Sequence, residues 1–220
     1  MRWHPCWRAV PSRYPPVDLF ERVADPADLE AVYEIEALTN DRLRDQVGDL
    51  SLVPPADRVS GPHSSVIMAA FTHLNPLGSR FSDGSYGVFY AAAARKTAVA
   101  ETRHHQELFM RRTNEAPMEL DMRVYCAWLD GVLCDIRGRQ AQMAAVYARD
   151  DYAASQAFAK PIRQAGTDGI VYDSVRLAGG QCAAVFRPPV IAHCRVDRHL
   201  CYVWDGSAIS WVYEKRRLPR

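Results

Sequence analysis

Three residues near the middle of the chain have side chains that could act together on a glycosidic bond. Arg80 lies in a loop rich in Gly, Ser and Asp, Tyr90 in the strand-like segment YGVFYAA, and Glu101 in the helix-like segment RKTAVAETRHHQELFMRR. A guanidinium can grip diphosphate or ribose oxygens, an aromatic face can stack on a cationic ring, and a carboxylate can stabilise an oxocarbenium-like transition state. These types suit cleavage of the nicotinamide–ribose bond of NAD⁺, whose leaving ring departs neutral and needs no protonation.

Each of these residues also has an ordinary structural role open to it. Arg80 can be a solvated loop residue, and Tyr90 can be a half-buried core ring. Glu101 can be a charge on the face of a helix, paired with Arg103 or His105. Spacing alone does not show that the three side chains converge.

The elements around these residues predict a mixed α+β fold. The stripe of Leu29, Val32 and Tyr33 predicts a helix over 26–44, and SSVIMAAFTHL predicts a short buried helix before the Arg80 loop. Tyr90 then shares a strand face with Tyr86, with the Glu101 helix directly after it. Helices early, strands mostly late and no regular βαβ alternation indicate a single domain with a β-sheet core flanked by helices.

The second half of the chain predicts most of the strands. In ELDMRVYCAWL, alternation places one face in the core, with a further strand at GVLCDI. AQMAAVYARDDYAASQAFAK indicates helical segments that Pro161 ends or kinks, with Gly166 at a helix terminus. Short strands are predicted at GIVY, CAAVF, LCYVW and ISWVY. The core face of ELDMRVYCAWL consists of Leu120, Met122, Val124, Cys126 and Trp128.

The ends of the chain differ in composition from its middle. Residues 1–20 are rich in Pro, Trp and Arg, and their prolines favour an extended arm lying on the domain over a helix. We divide the single domain of residues 1–220 into this arm, a helical segment at 21–70, a catalytic core at 71–213 and a basic tail at 214–220. A solvated end explains the basic tail better than an arm for nucleic acid.

Composition excludes several classes of protein. Hydrophobic residues make up 48% of the 220 and charged residues 24%, as in globular proteins with a buried core. The formal charge of +1 gives no overall field for nucleic acid or an anionic membrane, so we expect neither as a direct partner. Without a signal peptide or an apolar run of membrane-spanning length, we expect a cytoplasmic protein with reduced cysteines.

Motifs for several kinds of chemistry are missing from the sequence. It contains no GxGxxG after a strand, no GxxxxGK[ST], no HExxH and no GxSxG. Cys194, His199 and Cys201 lie near one another without an evident fourth ligand, so no metal site is predicted. We therefore expect neither a metal nor another cofactor.

Two longer blocks carry a family resemblance. FTHLNPLGSRFSDGSYGVFYAAAARKTAVAETRHH and the later DGIVYDSVRLAGGQCAAVF resemble the RES domain, the toxin component of bacterial Xre–RES toxin–antitoxin systems. WRAVPSRYPP near the start is similar to the family's N-terminal arginine-bearing segment, so the resemblance covers most of the chain. It implies an ADP-ribosyltransferase-like fold and consumption of NAD⁺ as a substrate.

The resemblance also implies roles for further residues. Ser174 would hydrogen-bond the ribose or the amide of the nicotinamide riboside, because no adjacent base would make it a nucleophile; a turn serine is the alternative. Arg8 or Arg13 could grip the diphosphate, although surface arginines on an arm remain an equal alternative. The family's named active-site residues correspond to Arg80, Tyr90, Glu101 and Ser174.

Three residues beside this set could support it. His104 and His105 could orient Glu101 across a helical turn, with one of the two histidines on the helix surface. Arg176, two positions after Ser174, would share its side of a continuing strand and could reach the pocket.

The function implied by the resemblance is an NAD⁺-degrading toxin of a type II toxin–antitoxin system, acting as a phosphorylase or glycohydrolase. Inorganic phosphate, water or a protein side chain could each capture the same intermediate, and the last would make the chain a mono-ADP-ribosyltransferase. An Xre-type antitoxin that covers the pocket is the implied partner. A nucleotide-binding or partner-binding module without turnover, and a structural partner that docks through the 26–44 helix, remain alternatives. Oligomeric state is left open.

Overall fold

The computed structural model describes residues 1–12 and 47–216 of the chain. Arg13, the helix expected over 26–44 and residues 217–220 of the basic tail therefore lie outside the described residues.

The described ranges form one eight-stranded sheet and three α-helices, which confirms the mixed α+β fold. The order across the sheet is β4-β5-β6-β2-β1-β3-β7-β8, with β4 and β5 parallel and the other neighbours antiparallel. The strands are β1 (Arg2–Pro11), β2 (Phe89–Ala92), β3 (Met118–Asp130), β4 (Leu133–Asp135), β5 (Gly169–Asp173), β6 (Gln181–Val185), β7 (Ile191–Trp204) and β8 (Ile209–Lys215), and the helices are α1 (Ser64–Thr72), α2 (Arg95–Arg112) and α3 (Ala153–Gln164).

The N-terminal segment is not an arm on the surface. Residues Arg2–Pro11 are extended, as predicted, but they form β1 in the interior of the sheet between β2 and β3. Of the prolines that argued for an arm, Pro11 is the last residue of β1, and Pro15 and Pro16 lie outside the described residues. Pro5, inside the strand, falls at a break in the register with β3, between Trp3 and Cys6. Strand β1 therefore belongs to the core of the fold.

Strand β3 confirms the predicted strand but corrects its buried face. Met122, Val124 and Cys126 are buried, whereas Trp128 is 40% exposed, with its ring stacked on His4 and tilted against His193. The register with β7 shifts between Cys126 and Trp128. A single alternating pattern cannot continue through such an irregularity.

Helices cover both faces of the sheet centre. Helix α2 has the bounds of the predicted RKTAVAETRHHQELFMRR segment, and its Met110 packs with Met122 and Tyr202. On the opposite face, Phe71 of α1 packs with Phe89. Tyr90 alternates with Phe89 and so faces the side of α2. No helix in the described part of the chain is long and apolar enough to cross a membrane.

Helix α3 differs from the pattern expected for residues 141–160. The chain makes turns up to residue 147, and the helix then runs from Ala153 through Pro161 to Gln164. Pro161 lies in the last turn, where a missing N–H removes one hydrogen bond, so it does not end the helix. Gly166, with a φ of +79°, is at the terminus as predicted, and its N–H donates to the carbonyl of Arg163.

The loop before β2 passes very close to α1. A Cβ atom on Gly87 would lie 2.4 Å from the carbonyl oxygen of Ala70 and 2.4 Å from the Cα atom of Phe71, both of which are backbone atoms. We expect Gly87→Ala to lower the free energy of unfolding by about 3 kcal/mol, because the helix and the strand must separate. Gly61→Ala, with a φ of +93° but open space around it, should cost about 1 kcal/mol from backbone strain alone. Urea unfolding measures the free energy of unfolding of both variants. Equal losses of stability would contradict the close contact between Gly87 and the backbone of α1.

Candidate active site

The carboxylate of Glu101 is held by the hydroxyl of Ser174. Ser174 begins the turn after β5, and its Oγ accepts the N–H groups of Arg176 and Leu177 at 3.1 and 3.0 Å. The hydroxyl proton is therefore left to donate to Oε1 of Glu101, 2.6 Å away. Ser174 is both the turn serine that the sequence allowed and the partner of Glu101. Glu101 borders a cavity, but Ser174 itself does not line it.

A second donor to the same oxygen was not foreseen. Sγ of Cys182 on β6 lies 3.8 Å from Oε1 of Glu101. Burial raises the pKa of this thiol, and the charge of Glu101 raises it further, so Cys182 stays protonated and can donate. Among the described residues no hydrogen bond reaches Oε2, which leaves that oxygen of Glu101 for a ligand.

Tyr90 on β2 braces the loop that carries Arg80. Its hydroxyl accepts the N–H of Phe81 at 3.0 Å and lies 2.8 Å from Oγ of Ser79. Burial raises the pKa of Tyr90 to about 12, so the hydroxyl remains protonated. The carbonyl of Phe81 accepts the hydroxyl of Tyr86 at 2.6 Å. Two tyrosines thus hold the peptide groups on either side of Phe81.

Arg80 is buried, with 7% of its surface exposed. Its guanidinium donates to the carbonyls of Val146 and Arg149 at 3.0 and 3.5 Å and stacks 4.9 Å from the ring centre of Tyr152. Of its five N–H donors, two are directed to the protein. Arg80 is therefore an ordered charge with donors remaining, and not the solvated loop residue of the alternative interpretation.

Arg8 lies where β1 and β2 separate. These strands pair at one position, Trp7 with Ala92. Beyond that pair, Nη1 of Arg8 donates to the carbonyl of Tyr90 at 3.1 Å, and the guanidinium lies 4.6 Å from the ring centre of Phe89. Its Nε is buried without a partner among the described residues, and burial lowers the pKa of Arg8 to about 10. Arg8 therefore supports β2 as a charged group, and its contact with a substrate stays a prediction.

A cavity of about 240 Å³ opens at this separation. Arg8, Arg80, Tyr90 and Glu101 line it together, although the sequence could not show that they converge. A larger cavity of about 300 Å³, beside Tyr86 and Arg163, shares none of its lining residues. The wall of the first cavity consists of Trp7, Arg8, Ala9, Val10, Pro11, Ser79, Arg80, Tyr90, Ala91, Ala92, Ala98, Glu101, Thr102, His105, Tyr152, Tyr172 and Cys182.

The two neighbouring histidines are placed differently. His105 lines the cavity, whereas His104 turns away from it and lies 3.8 Å from Asp150. Burial lowers the pKa of both imidazoles. One histidine is therefore a wall residue and the other is outside the cavity, and neither forms a hydrogen bond with Glu101.

Arg176 is not on a continuing strand. Strand β5 ends at Asp173 and the chain turns, so Arg176 cannot share a strand face with Ser174. Its guanidinium instead donates to the carbonyl of Arg149 and lies 3.0 Å from Asp150, outside the cavity wall. Arg176 secures the segment that also receives Arg80.

Sequence reasoning missed several wall residues. Ala98 could have been found, since it lies three residues before Glu101 on the same face of α2, and Thr102 lies four residues after Ala98. Cys182 is brought in by the register of β5 with β6, where it opposes Tyr172. Trp7 reaches the cavity wall because β1 lies inside the sheet, between β2 and β3. No pattern in the sequence reports either of these pairings.

Metal ligands do not cluster in the part of the chain that the structure describes. No group of three or more His, Cys, Asp or Glu side chains there is arranged to hold an ion.

The chain is similar to known proteins in three comparisons. A family model described as "RES domain" matches residues 55–205. The chain is 32% identical over 209 residues to the uncharacterized protein y4oC of Sinorhizobium fredii (strain NBRC 101917 / NGR234), a match that covers 94% of this chain and 86% of that protein. A chain of the M. tuberculosis MbcT–MbcA toxin–antitoxin complex aligns over 94% of this chain and 86% of its own, with a TM-score of 0.46 and 11% identity. The matched range 55–205 includes Arg80, Tyr90, Glu101 and Ser174.

The hydroxyl of Tyr90 should contribute to stability through the Arg80 loop. We expect Tyr90→Phe to lower the free energy of unfolding by about 1–2 kcal/mol, because the N–H of Phe81 loses its acceptor in a partly buried place. Tyr213→Phe is the control, since its hydroxyl donates to Glu119 at the exposed surface and should matter by less than about 0.5 kcal/mol. Urea unfolding measures the free energy of unfolding of both variants. An equal loss in the two would show that the hydroxyl of Tyr90 does not stabilise the Arg80 loop.

Proposed function

The chain belongs to the RES domain family, and from this premise we propose that it is an NAD⁺-degrading toxin of a type II toxin–antitoxin system. It cleaves the nicotinamide–ribose bond by phosphorolysis or hydrolysis. The family match over residues 55–205 supports the toxin role. The reaction belongs in the cytoplasm, where NAD⁺ is available as the substrate.

The observation that carries this proposal is the short hydrogen bond between Ser174 and Glu101. It holds one carboxylate oxygen at 2.6 Å and leaves the other open at the wall of a cavity. A carboxylate fixed in this way is preorganised to bind ribose hydroxyls and to stabilise the positive charge that develops at C1′ as the bond breaks. Its orientation costs nothing when the reaction occurs, because Ser174 has already set it.

The other wall residues suit the remainder of the substrate. Arg80 carries a buried positive charge with donors left over, which fits the anionic diphosphate. The ring of Tyr90, fixed by its hydroxyl, offers a surface for the flat nicotinamide. Arg8 adds a second positive charge at the separation of the strands. No acid is needed, because nicotinamide leaves as a neutral molecule.

The acceptor distinguishes the possible products. Phosphate yields ADP-ribose phosphate, water yields ADP-ribose, and a protein side chain yields a modified protein. All three follow the same bond cleavage, so they share the requirement for Glu101. We place phosphate and water first, in keeping with degradation of NAD⁺.

A toxin of this kind has to be silenced in the cell that makes it. We therefore include an Xre-type antitoxin as the partner, covering the cavity or holding the loop that carries Arg80. Tyr90 fixes that loop through Phe81, so a protein bound there would act directly on the site.

Nicotinamide release tests the proposal. Purified protein incubated with NAD⁺ should release nicotinamide, measured by chromatography with and without inorganic phosphate. We expect Glu101→Gln and Arg80→Ala each to lower kcat/KM by about 100-fold or more, because charge stabilisation in the transition state is lost. Phosphate dependence would identify a phosphorylase, and radiolabel transfer to protein would identify an ADP-ribosyltransferase.

Matched controls separate charge from position. Glu115→Gln and Arg2→Ala change the same residue types at exposed places and should leave the rate unaltered. If folded wild-type protein releases no nicotinamide under any of these conditions, the proposed cleavage of NAD⁺ is wrong.

Ser174 should act as a positioning residue. We expect Ser174→Ala to lower kcat about tenfold, equivalent to ~1.4 kcal/mol, while KM changes little, because Glu101 loses its orientation and not its charge. Ser174→Thr keeps the hydroxyl and should recover part of the rate. Ser207→Ala removes a turn serine from the surface and serves as the control. Steady-state kinetics decide, and an unchanged kcat for Ser174→Ala would remove Ser174 from the mechanism.

A further inference from the structure

His105 lines the cavity, but it has no role in the proposed mechanism. It lies one helical turn after Glu101 on α2, so both side chains project from the same face of the helix into the same space. His105 as a whole residue is exposed at the surface, although its imidazole is largely surrounded by protein atoms, and within the described residues it forms no hydrogen bond. A water molecule in the cavity can therefore reach an imidazole nitrogen that has no hydrogen-bond partner among the described residues.

The charges around His105 favour the neutral imidazole. Burial among the surrounding atoms lowers its pKa below the ordinary 6.5, Glu101 opposes this effect, and His104, Arg176 and Arg80 lower the pKa further. At neutral pH the imidazole then has a free lone pair. The other titratable groups of the cavity wall are Arg8, Tyr90, Tyr152, Tyr172 and Cys182.

The two acceptors differ in whether they need a base. A water molecule that attacks C1′ has to lose a proton, since otherwise the product would be an oxonium ion. The hydrogen phosphate dianion attacks through an oxygen that already carries a negative charge and has no proton to lose. A base in the cavity would therefore favour hydrolysis selectively.

Resting on the proposed NAD⁺ cleavage, we propose that His105 is the general base for water and so determines the share of hydrolysis. The C1′–N bond breaks and its electron pair passes to the nicotinamide nitrogen. The water oxygen forms the new bond to C1′. The water proton passes to the imidazole of His105 and from there to solvent, which restores the base.

His105→Gln tests this role in two reactions of the full-length protein. In phosphate-free buffer we expect it to lower kcat for hydrolysis about 100-fold or more, the usual contribution of a general base. With inorganic phosphate, phosphorolysis should fall by less than about threefold, because no proton is removed. The neighbouring His104→Gln should leave both rates near those of the wild type, since His104 lies outside the cavity.

Two further readouts separate a base from a structural residue. Hydrolysis by the wild type should rise about tenfold per pH unit up to a pKa below 6.5 and then level off, because the neutral imidazole is the active form. His105→Gln should lose this limb of the profile. Added imidazole should restore hydrolysis to His105→Ala but not to Glu101→Ala.

The outcomes distinguish this inference from the function on which it rests. No nicotinamide release by wild-type protein with either acceptor overturns both. Phosphorolysis without hydrolysis, an equal loss of the two reactions in His105→Gln, or no loss in either overturns the role of His105 alone. Failure of imidazole to rescue a His105→Ala variant with unchanged melting temperature places the base elsewhere.

Discussion

The separation of β1 from β2 is the constraint on which the candidate site depends. These neighbours in the sheet are hydrogen-bonded at one position, Trp7 with Ala92, and the cavity opens where the pairing stops. Backbone groups freed in this way need other partners. The guanidinium of Arg8 is such a partner, since it donates to the carbonyl of Tyr90. This hydrogen bond takes the place of a backbone hydrogen bond between the two strands.

Glu101 and Arg80 are held by different kinds of uncharged hydrogen-bond partner. Two neutral donors, Ser174 and Cys182, share one oxygen of Glu101 and leave its charge uncompensated. Arg80 rests on the backbone carbonyls of Val146 and Arg149, which orient it without neutralising it. A cation and an anion are thereby kept apart in one cavity, each available to a ligand of the opposite charge. Direct pairing would have cancelled both.

The sequence revealed the local part of this arrangement and not the long-range part. The Glu101 helix was predicted with its observed bounds, and Tyr90 was assigned to the strand directly before it, because both patterns depend on neighbouring residues. Ser174, by contrast, lies 73 residues from Glu101, and family resemblance alone connected them. The interior position of β1 and the register that brings in Cys182 depend on partners distant in the chain. Prolines and a register shift also obscured the alternation of β1 and β3.

The interior position of β1 has a consequence for the order in which the candidate site forms during synthesis. Strand β1 precedes the other described strands in the chain, yet both of its neighbours in the sheet, β2 and β3, are made much later, up to Asp130. Such distant pairings fold slowly because a long loop has to close. The hydrogen bond to the carboxylate of Glu101 can form only after Ser174, which is made later still. A chain that ended before Ser174 would therefore lack the hydrogen bond that holds Glu101, so the candidate site is completed only by residues translated well after β1.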